Sequence, residues 1–342
     1  MQLPEISVIL PVRNEERYIR DCVASIFAQD YPVEKMEVLF VDGCSEDRTV
    51  ALLQDLAKVH PQITVLHNPN RTVPYAMNIG IRASHAPVIV RLDAHAEYPA
   101  DYIRLSVETL LTRDCDNAGG VFETRGRGFM GDAIAEMLKT PLGVGNATYR
   151  LTDSEGCVDT VPFGCFRREL FERIGGFDER LTRNQDNELN YRIRKNGGKV
   201  WLNPKIRVLY YCRDTIRGIM RMGYMNGKWN VITMTLVPGS MGLRHFVPFA
   251  FTVCTIGGLL GLLLSNPVIT VLLALMMGAY LLLDGFYSWG IASVKGLRYL
   301  PVELILYPAF HYAYGTGSLV GLLSLPRFLK DEKAKKARED KK

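Results

Sequence analysis

The chain has 342 residues, of which 23% are charged and 48% hydrophobic, and its formal net charge is +5. This size accommodates one large domain or two smaller ones, and the charge balance excludes a disordered or strongly acidic protein. Lysine and arginine beside apolar segments meet lipid headgroups more often than nucleic acid, so no nucleic-acid partner is predicted.

The first part of the chain alternates between apolar strand-like runs and helical periodicity. Its start, MQLPEISVILPV, lacks the basic and long apolar regions of a signal peptide. The predicted strands are Ile6–Val12, Glu37–Val41, Ile63–Leu66 and Pro87–Leu92, and the predicted helices are Glu15–Gln29, Glu46–Val59 and Val73–Ala83. This alternation predicts a parallel α/β sheet covered by helices, whose ligands bind beyond the carboxyl ends of the strands.

Signals after Leu105 are weaker. The predicted strands are Ala118–Phe122, Val161–Phe166, Val200–Leu202 and Ile206–Tyr210, and the predicted helices are Arg168–Ile174 and Gln185–Lys195. Asn184 is the expected N-cap of the second helix. Gly126–Gly131 is predicted to be a flexible loop because of its glycines.

The carboxyl-terminal part changes in character. A predicted helix at Thr215–Thr235 combines basic side chains with methionine and tryptophan, so it lies in a membrane interface or packs in a core. Three apolar segments follow, Phe246–Leu264, Val268–Ala292 and Leu300–Leu325, each long enough to cross a bilayer. The third contains Glu303, two prolines and a histidine, so two and three crossings both remain open.

Polar residues follow the predicted strands at one edge of the sheet. Asn14 and Asp42 follow the first two strands, and "VIVRLDAHAEYP" (88–99) brings Asp93 and His95 to the end of the fourth. A capped strand end followed by a polar loop is the alternative for any lone aspartate. The shared position of these residues favours a ligand site.

Four segments together resemble a family 2 glycosyltransferase of the GT-A fold. They are "SVILPVRNEERYIRDCVASIFAQDYP", "VLFVDGCSEDRT", "NRTVPYAMNIGIRASHAPVIVRLDAHAEYP" and "RNQDNELNYRIRKNGGKV". The wording "DAHAEYP" and "QDNELNYRIRK" is most similar to the succinoglycan-type exopolysaccharide glycosyltransferases. The resemblance covers Ile6 to about Tyr211 and implies a nucleotide-diphospho-sugar transferase fold with a mostly parallel sheet.

The resemblance also implies which residues bind the donor. In the family, the segment after the first strand and the acid ending the second hold the base and ribose, which here are Pro11, Asn14, Glu15 and Asp42. Carboxylates suit this role because uracil N–H and ribose hydroxyl groups are donors. Asn78 is expected to frame the nucleotide; its alternative is a hydrogen-bonded polar residue on a helix face.

The family's D-x-D motif matches Asp93 and His95, which would bind Mn²⁺ or Mg²⁺ together with the donor's phosphates. Such a cation stabilises the negative charge of the departing nucleoside diphosphate. His95 stands where the family has a second carboxylate, which leaves the metal preference open. Asp186 matches the catalytic base, with Glu188 as the nearest alternative and a helix-dipole role as the structural one.

The processive synthases of the family carry Q-x-x-R-W, whereas this chain reads MNGKW at 225–229. The change favours transfer of a single sugar over chain extension. The predicted activity is inverting transfer from a nucleotide diphosphate sugar, with uridine expected, to a lipid-linked saccharide in exopolysaccharide or cell-surface glycan synthesis. Metal dependence is part of that prediction.

The predicted organisation is a catalytic domain (1–212), amphipathic interfacial helices (213–245), a transmembrane region (246–326) and a charged cytoplasmic tail (327–342). Because the sheet is complete before residue 246, the catalytic domain is expected to fold without the rest. The protein is expected to be multi-pass in an inner or plasma membrane, in contact with membrane lipid, with its catalytic domain in the cytoplasm.

Three other functions are alternatives to this one. A polyprenyl-phosphate sugar synthase would use the lipid phosphate as acceptor and would need no strong base. A sugar-phosphate nucleotidyltransferase needs a glycine-rich basic loop after the first strand, which "LPVRNEERY" lacks. A non-enzymatic membrane scaffold is disfavoured because Asp42, Asp93 and Asp186 are all present.

Overall fold

The computed structural model describes residues 2–339, so Met1 and the last three residues of the predicted tail lie outside the described residues. The described chain forms two compact units. Unit 1 comprises residues 2–123 and 148–210, and unit 2 comprises residues 124–147 and 211–339. The segment 124–147, placed in the first domain by the sequence, packs within unit 2.

The described residues form one eight-stranded sheet in the order β3-β2-β1-β4-β7-β5-β8-β6. Its strands are β1 (Ile6–Val12), β2 (Met36–Asp42), β3 (Ile63–His67), β4 (Val88–Arg91), β5 (Asn117–Arg125), β6 (Gly156–Cys157), β7 (Cys165–Arg167) and β8 (Val200–Tyr211). Strands β3, β2, β1 and β4 are mutually parallel, whereas β7 runs antiparallel to both β4 and β5. The predicted α/β fold with a mostly parallel sheet is confirmed.

Helices cover both faces of the sheet in unit 1. They are α1 (Ile19–Phe27), α2 (Thr49–Val59), α3 (Val73–Ala83), α4 (Tyr102–Thr112), α7 (Thr148–Leu151), α8 (Arg168–Ile174) and α9 (Gln185–Lys195). Successive residues of β1 point to opposite faces. Val8 therefore packs in the cluster that contains Val23 of α1, and Ile9 packs in the cluster that contains Met77 of α3.

Two helices of unit 1 begin later than their periodicity predicts. Helix α1 begins at Ile19 and α2 at Thr49, three or four residues after the predicted starts. The backbone N–H groups of Glu46 and Arg48 instead bind the side chains of Asn14 and Glu16. These loop contacts hold the chain outside helical geometry until Thr49.

Two further segments differ from the sequence prediction. The two short strands predicted from residue 200 form one strand, β8, which continues through Asn203 and Pro204. The glycine-rich segment predicted to be a flexible loop contains the start of helix α5 (Gly128–Met137). Buried Ala133 and Ile134 supply the apolar face that stabilises this helix within unit 2.

Unit 2 is helical. Besides α5 it contains α6 (Pro141–Val144), α10 (Ile216–Leu236), α11 (Val247–Leu263), α12 (Pro267–Lys295) and α13 (Leu300–Glu339). Helix α10 packs along α13 and buries Trp229 and Ile232. The predicted charged tail continues α13 as helix through Glu339.

Two helical segments of the described chain are long and apolar enough to cross a membrane, Leu243–Leu263 and Pro267–Lys295. Most of the residues in both remain exposed rather than packed inside unit 2. The third predicted span lies in α13, which is not among these candidates.

Candidate active site

The carboxyl ends of β1, β2 and β4 lie at one edge of the sheet. Val12 pairs with Asp42 in register, and Ile9 pairs with Arg91, so the residues that follow each strand emerge together. This register brings the segments carrying Asn14, Asp42 and Asp93 to the same edge, as the alternation of strands and helices predicted.

The loops after β1 and β2 are joined by reciprocal hydrogen bonds. Asn14 adopts a left-handed backbone with φ of 57°. Its N–H donates to Ser45 Oγ at 2.9 Å, and its Oδ1 accepts the Glu46 N–H at 2.8 Å. The Glu15 N–H donates to Thr49 Oγ1 at 2.8 Å. Asparagine tolerates this backbone better than most residues, so the type and position of Asn14 fix the loop.

Asp42 lies at the end of β2 with its carboxylate turned towards its own loop. Both carboxylate oxygens lie 3.2 Å from the backbone nitrogen of Ser45, whose N–H they accept. The residue is buried, and Pro11 is half-buried on the neighbouring strand. A carboxylate that accepts one backbone N–H retains lone pairs for a ligand donor.

Asn78 occupies a different environment from the other predicted donor-binding residues. Its Nδ2 donates to the Phe177 carbonyl and to Glu179 Oε1, each at 2.9 Å, and its Oδ1 accepts the Phe177 N–H at 2.8 Å. The buried amide thus holds the loop after α8, which is the alternative role that the sequence left open.

Arg91 is the centre of the acidic cluster. Its side chain is 4% exposed, and its guanidinium donates hydrogen bonds to Asp186 Oδ1 and, at 3.3 Å, to Asp93 Oδ1. Phe163 packs against the guanidinium with 5.8 Å between the ring centroid and Cζ. One buried cation therefore binds both Asp93, which follows β4, and Asp186, which lies in α9.

Asp93 is also fixed through its backbone. Its N–H donates to Tyr98 Oη at 2.7 Å, so the turn after β4 closes on the buried tyrosine. The Asp93 side chain remains 22% exposed, with Oδ1 directed to Arg91. The turn presents the carboxylate at the surface of the sheet edge while holding its backbone rigid.

Asp186 and Glu188 differ in their exposure and in their ion-pair partners. Asp186 lies in the first turn of α9 with 29% of its side chain exposed. Glu188 is 3% exposed, and each of its carboxylate oxygens accepts a hydrogen bond of 2.7 Å from the Arg192 guanidinium. Glu188 is thereby committed to a buried ion pair, and Asp186 is the carboxylate of α9 open to a substrate.

The environment of Asp186 favours its protonated form. Burial raises the pKa of Asp186 above its ordinary value, the charge of Arg91 opposes that rise, and the charge of Asp93 adds to it. A base with a raised pKa accepts a proton more readily near neutral pH than an ordinary aspartate does.

His95 is paired with Glu15 across the two loops. The His95 Nδ1 and Glu15 Oε1 atoms lie 3.2 Å apart, and the imidazole is more than half exposed. Within residues 2–339 no three histidine, cysteine or acidic groups are arranged to hold a metal ion by themselves. Asp93 contacts Arg91 and His95 contacts Glu15, so a cation at this edge would have to take most of its ligands from phosphate and water, as Mg²⁺ does in phosphate sites.

Sequence reasoning missed the role of Arg91. Its signal was a charged residue inside the apolar run "VIVRLD", because an arginine in a strand buried on both faces requires an anionic partner.

Asn184, the predicted N-cap, precedes α9 in a left-handed conformation with no side-chain capping bond.

Comparison with known proteins identifies the family of this fold and site. Residues 7–175 match the model of the family "Glycosyl transferase family 2". The chain carries a family 2 glycosyltransferase domain. Its general activity is therefore glycosyl transfer in polysaccharide or glycan biosynthesis. This confirms the resemblance drawn from the four sequence segments.

Two relatives cover nearly the whole chain. The "Succinoglycan biosynthesis protein ExoA" of Rhizobium meliloti (strain 1021) is 27% identical over 327 residues, 94% of this chain and 96% of the relative. A "Dolichyl N-acetyl-alpha-D-glucosaminyl phosphate 3-beta-D-2,3-diacetamido-2,3-dideoxy-beta-D-glucuronosyltransferase" of Methanococcus voltae is also 27% identical over 327 residues, with 93% and 97% covered.

The fold of this glycosyltransferase is similar to that of a solved enzyme. The structure is "Mannosyltransferase PcManGT from Pyrobaculum calidifontis in complex with GDP-Man and Mn2+", with a TM-score of 0.64 and 21% identity. The likeness covers 93% of this chain and 88% of the other and confirms the GT-A fold.

Proposed function

We propose that the protein is an inverting, metal-dependent glycosyltransferase that moves a sugar from a nucleotide diphosphate sugar to a lipid-linked saccharide at a membrane. The observation that carries this proposal is the Asp93–Arg91–Asp186 cluster at the carboxyl edge of the sheet. In this cluster the buried Arg91 binds both Asp93, proposed to act near the donor phosphates, and Asp186, proposed to act as the base.

Asp186 is the proposed base. An inverting transfer needs one carboxylate to take the proton from the acceptor hydroxyl on the face opposite the leaving group. The partial exposure of Asp186 and its raised pKa suit this role, whereas Glu188 is bound to Arg192. Arg91 positions Asp186, and its charge opposes the rise in the pKa of that carboxylate.

Asp93 and His95 are the proposed residues for the divalent cation, Mn²⁺ or Mg²⁺. When bound, such a cation neutralises the charge that develops on the departing nucleoside diphosphate. The 3.2 Å contact between His95 and Glu15 fixes the imidazole beside the loop proposed to bind the nucleoside. The protein thus supplies few ligands of its own, and the donor phosphates fill most coordination positions of the cation.

The proposed nucleoside site is formed by Pro11, Asn14, Glu15 and Asp42. The hydrogen bonds between the loops after β1 and β2 preorganise it, which lowers the entropy lost on binding. Uridine is the proposed nucleoside, and the carboxylates offer acceptors to its N–H and to the ribose hydroxyls.

The lipid-linked acceptor is supported by two observations. The Methanococcus voltae relative is named for transfer onto a dolichyl phosphate-linked sugar. Unit 2 carries two apolar helical segments of membrane-spanning length that remain mostly exposed. We place unit 2 in an inner or plasma membrane, and we place the site in the cytoplasm, where nucleotide sugars are made.

The experiment that tests this proposal is a screen of nucleotide sugars with the purified full chain in lipid nanodiscs. We expect one donor to raise the unfolding midpoint and to be hydrolysed slowly in the presence of Mn²⁺ or Mg²⁺. A uridine donor is expected, and stabilisation by guanosine donors alone would overturn the nucleoside assignment. Absence of both effects with every donor would favour the non-enzymatic scaffold.

A further inference from the structure

Unit 2 contains a cavity of about 370 Å³ that the proposed transfer does not use. One wall is the end of α5 and the turn after it, with Glu136 and Lys139. The other wall is the last turns of α12, from Phe286 to Lys295. The cavity therefore combines a charged end with an apolar wall.

The charged end has more positive than negative charge. Lys139 Nζ and Lys295 Nζ lie 2.8 Å and 3.0 Å from the same oxygen, Glu136 Oε1. Two ammonium groups on one carboxylate leave one positive charge uncompensated. Asp132 lies 3.7 Å from Lys295 and accepts the Tyr299 hydroxyl at 2.8 Å.

Arg298 lies beside Tyr299, the residue that donates its hydroxyl to Asp132. Its guanidinium lies over the rings of Phe129 and Tyr299, with Cζ 5.1 Å and 5.5 Å from their centroids. The five charged groups Asp132, Glu136, Lys139, Lys295 and Arg298 therefore leave a net charge of about +1, which matches one phosphodiester.

The apolar wall is exposed and lies near the end of a candidate span. Phe286, Trp289 and Val294 are 71%, 57% and 82% exposed. Helix α12 has 29 residues and so is about 43 Å long, whereas a hydrocarbon core is about 30 Å thick. Its last turns therefore extend into the headgroup layer, where tryptophan and lysine are favoured.

We propose that this cavity binds one anionic phospholipid of the bilayer. Its phosphodiester accepts hydrogen bonds from Lys139 and Lys295 beside the Glu136 carboxylate that they share, and an acyl chain lies along Phe286, Trp289 and Val294. The proposal rests on the membrane placement of unit 2 but not on the transfer reaction. Donor hydrolysis and the effect of Asp186→Asn test the transfer separately, so the two proposals fail independently.

The test measures thermal unfolding of the full chain in detergent micelles that contain increasing fractions of phosphatidylglycerol. A lipid that binds the folded protein raises the unfolding midpoint in proportion to its occupancy. A lysine near an anionic lipid contributes roughly fivefold in affinity, so Lys139→Gln/Lys295→Gln should need about 25-fold more phosphatidylglycerol for the same shift. An unchanged dose dependence would overturn the proposal.

A matched variant separates the cavity from general charge attraction. Lys58 forms the same type of ion pair as Lys139, three residues from Asp55 at 2.8 Å, and Lys330 is an exposed lysine of α13 outside the cavity. Lys58→Gln/Lys330→Gln removes the same charge and should leave the phosphatidylglycerol dependence unchanged. If this variant needs equally more phosphatidylglycerol for the same shift, the effect is non-specific charge attraction and not binding in the cavity.

A third variant tests the site even where the double lysine variant does not fold. Glu136→Gln frees both lysines from their shared carboxylate, so the phosphatidylglycerol requirement should fall below that of wild type. Phosphatidylcholine and inorganic phosphate at matched concentration should produce no comparable shift. A requirement that stays the same in Glu136→Gln, or stabilisation by either reference compound, would overturn an anionic lipid site.

Discussion

The guanidinium of Arg91 donates a hydrogen bond to Asp186, although 95 residues separate them in the chain. The same guanidinium contacts Asp93 at 3.3 Å, so one buried cation sets the distance between two carboxylates and the charge around them. Both effects can be separated experimentally because lysine retains the charge of arginine but not its planar fork of donors.

The first prediction concerns the charge of Arg91. An aspartate base works as the carboxylate, so the rate falls as pH decreases through its pKa. The positive charge of Arg91 lowers the pKa of Asp186. Arg91→Gln should therefore move the acidic limb of the pH–rate profile to higher pH, whereas Arg91→Lys should leave it near wild type. Circular dichroism checks the fold of both, and an unmoved limb in Arg91→Gln would contradict the assignment.

The second prediction concerns the choice between Asp186 and Glu188. Asp186→Asn retains shape and hydrogen bonding but removes the proton acceptor, so transfer should fall by about 10²–10⁴-fold with donor affinity nearly unchanged. Glu188→Gln is the matched control. It weakens the ion pair with Arg192 and should lower the unfolding midpoint while the folded protein keeps most of its activity.

Near wild-type transfer in Asp186→Asn together with loss of transfer in Glu188→Gln would assign the base to Glu188. Near wild-type transfer in Asp186→Asn together with an active Glu188→Gln would favour the polyprenyl-phosphate sugar synthase, whose acceptor phosphate needs no strong base. Rates are compared at saturating donor so that binding defects do not enter the ratio.

The third prediction concerns the nucleoside. Asp42→Asn keeps an oxygen for the Ser45 N–H but removes the negative charge, so the fold should persist while nucleoside diphosphate affinity falls. The expected loss is about 10- to 150-fold, since a hydrogen bond to a charged group contributes about 1.5–3 kcal/mol. Calorimetry with UDP measures it, with Asp55→Asn on the exposed face of α2 as the control. Equal affinities in the two variants would remove Asp42 from the site.

The sequence predicts the strands well where burial alone determines them. Strand β1 is observed with its predicted bounds because a strand buried on both faces reads as a continuous apolar run. The shared position of Asn14, Asp42 and Asp93 at one sheet edge follows from the alternation of strands and helices. Both features are determined by local periodicity.

The features that the sequence did not predict depend on distant partners. The late start of α2 results from the Asn14 side chain, 32 residues before Glu46. The role of Asn78 depends on Phe177, 99 residues later. Local periodicity contains no information on either contact, and this also explains why the Arg91–Asp186 pair was not foreseen.

The fourth prediction concerns truncation, and it follows from the packing of α5. Ile134 and Met137 are fully buried in a cluster with Tyr307 and Phe310 of α13. Removal of residues 246–342 would expose both, at a cost of about 1.5–3 kcal/mol each. The truncated protein should aggregate in size-exclusion chromatography, contrary to the expectation from the sequence that the first domain folds alone.

Two controls accompany the truncation. Removal of residues 331–342 alone leaves the cluster intact and should yield a monodisperse protein in detergent. The substitutions Ile134→Ser and Met137→Gln in the 246–342 truncation should restore solubility. A soluble truncated chain without these substitutions would show that the cluster contributes little to folding.

The last prediction concerns the metal. A site with Asp93 and His95 offers one hard oxygen and one imidazole nitrogen, and the 3.2 Å contact with Glu15 orients the ring. Mg²⁺ prefers oxygen ligands, whereas Mn²⁺ accepts nitrogen more readily, so the rate with Mn²⁺ should match or exceed the rate with Mg²⁺ and EDTA should abolish both. His95→Asp should shift the preference towards Mg²⁺. His85 is the matched control because it makes a similar 3.3 Å contact, with Glu37, before β4 rather than after it. The Mn²⁺/Mg²⁺ rate ratio should fall in His95→Asp and stay at the wild-type value in His85→Asp. An unchanged ratio in His95→Asp would show that Asp93 and the donor phosphates bind the cation without His95.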